Sequence, residues 1–224
     1  MSTEPVPYRV RISNRARHVN LRLTVQEGLV VVIPRGFDLK HIPSILQKRK
    51  QWILAGLGRL AVQTPLGSCP LPEQLVLPLL GTWTVVYGER GEKPNQLLIP
   101  TTERAPSIAH LKSWLAHQGR LHLIPRLQQI SHATGLTFTQ ATVRGQKTRW
   151  GSCSRQHHIS LNYQLLFLTS DLVHYVLVHE LCHTHEMNHS PRFWSLVASY
   201  LPDHQDYKAR LRQSIHLIPG WLHD

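Results

Sequence analysis

The first third of the chain alternates apolar and polar residues, the pattern of half-buried β-strands. In YRVRI, Val10 and Ile12 alternate with arginines, and VNLRLTV at 19–25 places its apolar side chains on one face. Glu27 and Gly28 form a predicted turn into a third strand, LVVVIP. Because neighbouring strand residues point to opposite faces, one face of this sheet should carry arginines, which suits solvent or phosphate groups.

A helix and a second β-rich segment are predicted next. Asp38 is expected to cap a helix that carries apolar residues at helical spacing as far as Ile53 and has a basic polar side. The stretch TPLGSCPLPEQ, 64–74, is rich in proline and glycine and predicts a linker or long loop. The segment LLGTWTVVYGERGEKPNQLLIP then predicts strands around a turn at GERGEKPN.

The carboxyl-terminal half mixes helices with short strands. Ser107 is the predicted cap of a long helix that Pro125 kinks or interrupts and Gly135 ends. Three short strands follow in TFTQATVR, QKTRWGSC and HHISLNYQL. We place a domain boundary in the segment 100–106, between a β-rich basic region with one helix (1–104) and an α+β domain (105–224).

The segment LVHYVLVHELCH predicts a helix that is apolar almost all round and therefore buried. Thr169 and Ser170 supply cap chemistry, and Asp171 places an acid in the first turn. Buried helices rarely carry histidines and glutamates unless those groups have partners. The polar residues of this helix are therefore candidates for chemistry.

The sequence HELCH within that helix has the spacing of a zinc site. His179 and His183 lie on the same face about 6 Å apart along the axis, so both imidazoles can bind one tetrahedral ion. Glu180 is offset by one position and can take a proton from a water at the ion. The pattern HExxH thus predicts two metal ligands and a general base.

The third ligand is less directly indicated. His185 is expected on the far side of the helix, in solvent, and Glu186 beside the site or on the surface. In a continuous helix, His189 would lie roughly 9 Å beyond His183, too far to share an ion. Asp203, twenty residues after His183, is an alternative that also fits an ordinary helix cap.

His189 becomes available if the helix stops before it. Asn188 tolerates the left-handed conformation that ends helices, and Pro191 discourages helix at the residue before it. Ser190 and Pro191 make a good start for a new helix, RFWSLVASYL. Three histidines would leave a fourth position open for water, as in catalytic zinc sites.

Bulk composition narrows the setting. The chain carries a formal net charge of +12 at pH 7, and residues 1–60, with eleven Lys/Arg and three acids, account for +8 of it. This bias favours a nucleotide, nucleic acid or acidic surface as partner, or simply a solvated face. The three cysteines include no CxxC pair, which disfavours a cysteine metal site. Without a signal-like or membrane-length apolar run, we expect a cytoplasmic protein with no membrane partner.

Four motifs in order resemble the YgjP-like metallopeptidase family, which is related to the SprT-like and WSS/WLM zincin peptidases. They are TRWGSCS, ISLNYQLLF, YVLVHELCH and MNHSPRFW. The resemblance extends weakly to RARHVNLRL, VVVIPRG and RKQWI in the amino-terminal half. It implies a zincin-like α+β catalytic domain, with the HExxH helix beside a small sheet, and one zinc ion held by His179, His183 and His189 with Glu180 as base.

The resemblance also points to the RWGSC stretch as an edge strand of the cleft, where an extended peptide can add as a further strand. Gly151 would let a substrate approach closely, and Arg149 would meet a carboxylate, a phosphate or a developing oxyanion; packing roles are equally compatible. Asn162 is a weaker candidate for orienting a ligand. Three oxyanion stabilisers stay open, namely His185, Tyr163 and Arg149.

The leading hypothesis is therefore a zinc-dependent metallopeptidase that acts on peptides or proteins. A first alternative is a metal-dependent phosphohydrolase that acts on a nucleotide, such as a nucleoside triphosphate pyrophosphatase, although three histidines suit zinc better than magnesium. A second is a nucleic-acid-associated protease, recruited through the basic amino-terminal region. Physiological substrate and oligomeric state are not indicated by the sequence.

Overall fold

The computed structural model describes residues 7–24, 28–61, 69–88 and 94–223. The chain forms two compact units, Met1–Cys69 together with Asp224, and Pro70–His223. This division lies earlier in the chain than the predicted boundary between 104 and 105. The reason is that residues of the second β-rich segment pack on the long helix that follows, as the ring contact between Trp83 and Trp114 illustrates at 4.9 Å between centroids.

The first unit contains the three strands that alternation predicts: β1 (Tyr8–Ser13), β2 (Asn20–Thr24) and β3 (Gly28–Pro34). Strand β3 is central, parallel to β1 and antiparallel to β2. Gly28 has a φ of +66°, which suits it to the predicted turn. Glu27, the other residue of that turn, lies outside the described residues. Strand β1 is an edge strand, so its apolar residues stay exposed, Ile12 to 65%.

Two helices replace the single helix predicted after Asp38. The Asp38 carboxylate accepts a hydrogen bond from the Lys40 amide at 3.0 Å and caps a short 3-10 turn. Helix α1 (Ile42–Lys48) follows, the backbone leaves helical geometry at Arg49 (φ −108°, ψ 12°), and α2 (Lys50–Ala61) continues. The core of this unit joins α1 to the sheet through Val31, Ile33 and Ile42, with Val19, Leu21, Phe37 and Leu46 around them.

The second unit begins with a small sheet, β4 (Gln74–Leu77), β5 (Gly81–Tyr87) and β6 (Gln96–Ile99), in the order β4-β5-β6. Residues 64–68 of the predicted linker at 64–74, and residues 89–93 of the predicted turn, lie outside the described residues. Helix α3 (Arg104–Thr134) then spans 31 residues.

Helix α3 begins earlier than predicted and is not interrupted. Its cap residue is Glu103, whereas the predicted cap Ser107 is buried inside the helix and donates a hydrogen bond to the Thr101 carbonyl at 3.1 Å. The helix continues through Pro125 and ends, as predicted, at Gly135, whose φ is +75°.

A third sheet carries the strands next to the HExxH helix: β7 (Gln140–Arg144), β8 (Gly151–Cys153) and β9 (His158–Asn162). Strand β9 is central, parallel to β7 and antiparallel to β8, so β8 forms one edge. Helices α4 (Ser170–Cys182), α5 (Pro191–Tyr200) and α6 (His204–Gln213) complete the unit. The predicted α+β class, with a HExxH helix beside a small sheet after a β-rich region, is confirmed.

No helix within the described part of the chain is long and apolar enough to cross a bilayer.

Candidate metal centre and active-site cleft

Helix α4 is the buried element on which the centre is built. Its leucines, valines and Tyr175 are all nearly inaccessible to solvent, as its apolar sequence predicts. Strand β8 and helices α5 and α6 pack against it. The polar groups that α4 carries are therefore held in a rigid and largely dry environment.

Three histidines converge at the end of α4. One possible ligand nitrogen from each of His179, His183 and His189 lies within 4.8 Å of the other two. The Nε2 atoms of His179 and His189 are 3.1 Å apart, and the rings of His183 and His189 have centroids 4.7 Å apart. Three imidazoles at these separations can hold one metal ion and leave a coordination position open.

The path that returns His189 to the other two rings differs from the prediction at Asn188. Helix α4 ends at Cys182, and His183 is its cap residue rather than an interior one. Asn188 is not among the residues with positive φ, so the predicted left-handed stop at that position is wrong. The hydroxyl of Thr184 and its own amide both donate to the Leu181 carbonyl, at 2.8 and 2.9 Å, and close the helix earlier.

The predicted start of the following helix is confirmed. Ser190 is the cap residue of α5, with its hydroxyl accepting from the Phe193 amide at 3.3 Å, and Pro191 is the first helical residue. Phe193 is fully buried and stacks on the His183 ring at 4.4 Å between centroids. The residue after His189, Ser190, is thus hydrogen-bonded to Phe193, which itself packs on the His183 ring.

Hydrogen bonding orients His183 for binding through Nε2. Its Nδ1 lies 3.0 Å from the Glu186 carbonyl oxygen, and because a carbonyl only accepts, Nδ1 must carry the proton. The lone pair of the neutral ring is then on Nε2. Glu186, predicted to lie beside the site or on the surface, thus acts through its backbone, while the predicted solvent position of His185 is confirmed.

Desolvation favours the neutral form of the three rings, which is the form that binds metals. Burial, followed by the charges of His183, His189 and Lys208, lowers the pKa of His179 to about 3. Burial also lowers the pKa of His183 and of His189. In addition, the buried Nδ1 of His179 has no hydrogen-bond partner among the residues that the structure describes.

Glu180 is a buried acid facing the same cleft. Only 5% of its surface is exposed, and its Oε2 has no hydrogen-bond partner within the described ranges. Burial raises its pKa to about 8, while the charge of Arg149 opposes that rise. A carboxyl group in this environment can take up and release a proton near neutral pH.

Gly151 makes room for the Glu180 carboxyl group. A Cβ atom at position 151 would lie 2.7 Å from Oε1 and 2.8 Å from the carboxyl carbon of Glu180. Real contacts of this length do not occur, so any larger residue would displace the acid. Glu180 thus approaches Gly151 closely, and the predicted approach of a substrate to Gly151 stays a prediction.

Asn162 holds the loop that leads into β8. Its Nδ2 donates to the carbonyls of Gln146 and Arg149, both at 2.8 Å, and its Oδ1 accepts from the Gln164 amide at 3.1 Å. The side chain is 1% exposed. Asn162 therefore positions the Arg149 backbone, and its predicted role in orienting a ligand stays a prediction.

The cleft has a volume of about 520 Å³ and contains the three histidines, Glu180, Arg149 and all of β8. Of the three predicted oxyanion candidates, Arg149 lines it, whereas His185 and Tyr163 do not. Asp203, the alternative third ligand, lies at the start of α6 as a cap residue and is not part of the cluster.

The comparison with family models gives a direct answer. The family described as "YgjP-like, metallopeptidase domain" matches residues 17–214, which is most of the chain. The chain belongs to the YgjP-like metallopeptidase family. The resemblance drawn from the four motifs is thereby confirmed, and with it the coarse prediction of a metal-dependent peptidase.

Two solved structures are similar to part of this YgjP-like chain. The metallopeptidase zymogen of Pyrococcus abyssi, abylysin, is 22% identical and has a TM-score of 0.39; the match covers 42% of this chain and 95% of the abylysin chain. The metallopeptidase zymogen of Methanocaldococcus jannaschii, jannalysin, is 18% identical, covers 42% and 96%, and has a TM-score of 0.37. A comparison with curated proteins gave no match.

Sequence reasoning missed one wall of the YgjP-like cleft. Trp194 stacks on His189 at 5.5 Å between ring centroids, and Lys208 lies 4.0 Å above the Trp194 ring. Lys208, Leu211 and Arg212 line a second cavity that adjoins the cluster. Their spacing within 204–213 is helical and could have revealed a common face, although nothing in that spacing indicates which element the face meets.

Proposed function

We propose that this protein is a zinc peptidase in which His179, His183 and His189 bind the ion and Glu180 is the general base. The observation that carries the proposal is the convergence of three imidazoles beside a buried carboxyl group whose Oε2 has no hydrogen-bond partner among the described residues. Neutral nitrogen ligands suit zinc, whereas magnesium prefers carboxylates and water. Zinc at this position supplies a Lewis acid that acidifies water and polarises a carbonyl.

Glu180 then carries the proton. Its carboxylate accepts a proton from the attacking water, holds it in the buried site, and returns it to the leaving amine. The raised pKa of about 8 favours the protonated state between those two steps. Gly151 lets the carboxyl group reach its position, and the backbone of Arg149 is held by Asn162 nearby.

Strand β8 is the proposed binding surface for the peptide backbone. It forms an edge of its sheet among the described strands and lines the cleft over its whole length, Gly151–Cys153. An extended peptide can pair with such an edge through main-chain hydrogen bonds that do not depend on its sequence. Arg149, at the entry to this strand, is then placed to meet a carboxylate or a developing oxyanion.

The decisive experiment compares Glu180→Gln with the wild type after zinc loading. We expect Glu180→Gln to bind one zinc ion per chain but to lose at least about 10²-fold in kcat on a casein-type substrate, since general-base catalysis contributes about that much. Glu103→Gln, an exposed glutamate at the start of α3, is the matched control. Full activity of a zinc-loaded Glu180→Gln protein would exclude Glu180 as the base.

A second candidate, association with nucleic acid, is favoured by the sheet of the first unit. Arg9 and Arg22 both pair with Val30, and Arg11 pairs with Val32, so the three arginines point to one face. All three side chains are exposed. A row of guanidinium groups on one sheet face suits a phosphate backbone.

This candidate is tested with the full-length protein on a single-stranded and a double-stranded oligonucleotide. Replacing all three arginines by glutamine should weaken binding and reduce the dependence of log Kd on log salt by about 2 to 3. The replacement of Arg120, Arg126 and Arg155 in the other unit is the charge-matched control. Binding by the wild type that does not change with salt would contradict the proposal.

A further inference from the structure

A side pocket adjoins the histidine cluster. It has a volume of about 560 Å³, and its walls include the rings of His179 and His189. The remaining wall is formed mainly by Trp150, Trp194, Lys208, Leu211, Arg212 and Ile215. Glu180 is not among its lining residues.

Helix α6 supplies the pocket's cationic face. Lys208, Leu211 and Arg212 follow the spacing i, i+3 and i+4, so they lie on one side of the helix, and Ile215 lines the pocket from the 3-10 turn that follows, Ser214–Leu217. Other residues anchor α6 to α4: Tyr207 stacks on Tyr175 at 5.9 Å, and Arg210 pairs with Asp171 at 2.5 Å. The face that lines the pocket is therefore held at a fixed place beside the metal ligands.

The pocket carries two positive charges and no acid lines it, among the described residues. Arg210 also pairs with Asp206 at 3.8 Å, so its charge is balanced. Lys208 and Arg212 form no ion pair with any residue in the described ranges; Lys208 instead lies 4.0 Å above the Trp194 ring. Two cations beside apolar walls are suited to an anionic group at the end of a short aliphatic stem.

The charge of Lys208 also reaches the cluster. Its Nζ lies 4.0 Å from the centre of the Trp194 ring, and Trp194 stacks on His189 at 5.5 Å between ring centroids. A group bound between Lys208 and Arg212 therefore lies in the same pocket as the rings of His179 and His189. The pocket is close enough to select the residue beside the bond that is cut.

We propose that the side pocket, through Lys208 and Arg212, binds an aspartate or glutamate side chain of the peptide substrate directly beside the scissile bond. This inference rests on the proposed peptidase function and names its substrate class. The carboxylate binds the two cations, while the methylene groups lie against Leu211, Ile215 and Trp150. A lysine or arginine at the same substrate position is repelled.

The test is a peptide library, randomised on both sides of the scissile bond, digested by the zinc-loaded full-length protein and read by mass spectrometry. We expect acidic residues to be preferred over their amides by about tenfold in kcat/KM at one position adjacent to the cut, mostly through KM. In Lys208→Glu/Arg212→Glu the preference at that same position should change to lysine and arginine. Arg120→Glu, on the exposed side of α3, is the control and should keep the acidic preference.

The outcomes separate this inference from the function on which it rests. Cleavage without an acidic preference overturns the assignment of the pocket, and so does an acidic preference that the double charge reversal, Lys208→Glu/Arg212→Glu, leaves unchanged. Neither result contradicts the proposed peptidase function. Cleavage of no peptide by wild-type protein with stoichiometric zinc overturns the proposed function. Hydrolysis of nucleoside triphosphates that the double reversal abolishes would make phosphate the occupant and overturn the carboxylate assignment.

A binding measurement covers the case in which the double reversal fails to turn over. Zinc-loaded Glu180→Gln protein should bind a glutamate-containing peptide about tenfold more tightly than its glutamine counterpart. The neutral variant Lys208→Met/Arg212→Met, in the same background, should bind both peptides equally. Unequal binding by that neutral variant would place the selectivity elsewhere.

Discussion

Glu180 occupies space that exists only because Gly151 has no side chain. The acid lies on α4 and the glycine on β8, so the contact depends on how helix and sheet pack together. Oε1 of Glu180 would be 2.7 Å from a Cβ atom at position 151, closer than any relaxed contact. The position of the proposed base is therefore sensitive to a single methyl group on another element.

We expect Gly151→Ala to retain zinc and to lose about 10²-fold in kcat, since a misplacement of about 1 Å at a reacting group has an effect of that size. Steady-state kinetics with zinc analysis of the same sample measures this. Gly81→Ala is the control: its φ of +80° makes alanine costly, but Gly81 is the first residue of β5 and does not line the cleft. A Gly151→Ala protein with unchanged kcat would show that the close contact between position 151 and Glu180 does not affect catalysis.

At the scale of single residues, helical spacing predicted the positions of neighbouring residues, whereas contacts between residues distant in sequence were not predictable. The separation of His179 from His183, and the offset of Glu180 between them, follow from helical geometry alone. The partners of Gly151 and Asn162 could not be predicted in this way, because each contact joins residues that are distant in sequence. The structure places Gly151 against Glu180 and Asn162 against the 146–149 loop, while their predicted roles toward substrate and ligand stay predictions.

Among the secondary-structure elements, the junction between α4 and α5 decides whether a third imidazole reaches the other two. Cys182 ends α4, and Ser190 begins α5 with its hydroxyl on the Phe193 amide. Phe193 in turn stacks on His183. The cap of α5 therefore fixes one end of the turn that carries His189.

Replacing Ser190 by alanine should lower the free energy of unfolding by about 1 kcal/mol, the usual cost of a lost cap. It should also weaken zinc binding several-fold, because the turn at His189 loses its anchor. Denaturant unfolding and competition with a zinc indicator measure the two effects. Ser190→Asp, which keeps a cap acceptor, should restore both; if zinc affinity stays low in that variant, the hydroxyl acts in another way.

The start of α5 was predictable because Ser190 and Pro191 act locally. The end of α4 was not, since the helix stops through hydrogen bonds of Thr184 to Leu181, whereas we had placed the stop at Asn188. The face of helix α6 that lines the side pocket was not predictable either. Its spacing alone cannot tell that Lys208 and Arg212 face a cavity, because that depends on the stacking of Tyr207 on Tyr175 and the pairing of Arg210 with Asp171.

On the scale of the whole molecule, the proposed ion would join parts of the second unit that the chain connects only through a turn. His179 and His183 belong to the end of α4, and His189 lies just before α5. A ligand that binds the folded state alone stabilises it by mass action. Zinc should therefore act as a structural link as well as a reactant.

Saturating zinc should raise the Tm of the chelator-treated protein by roughly 5–10 °C, since an excess of about 100 Kd contributes about 2.7 kcal/mol. Differential scanning fluorimetry with and without zinc measures the shift. His189→Ala should reduce it strongly, whereas His185→Ala, which removes an exposed histidine outside the cluster, should keep it. An equal shift in both variants would argue against His189 as a ligand.

The division of the chain was the least predictable feature at this scale. Pro100 and Pro106 suggested a boundary between them, whereas the compact units divide between 69 and 70; the second sheet packs on α3, as Trp83 on Trp114 shows. Proline marks where a chain turns but not which core the flanking segments join. The α+β class, in contrast, follows from local periodicity and was predictable.

The three rings of the cluster differ in their access to solvent: His183 is buried, His179 is intermediate and His189 is exposed. An ion that arrives from outside therefore meets His189 first, and a departing one leaves it last. We therefore expect the His189 side chain, more than those of His179 and His183, to set the rate at which the metal exchanges with solvent.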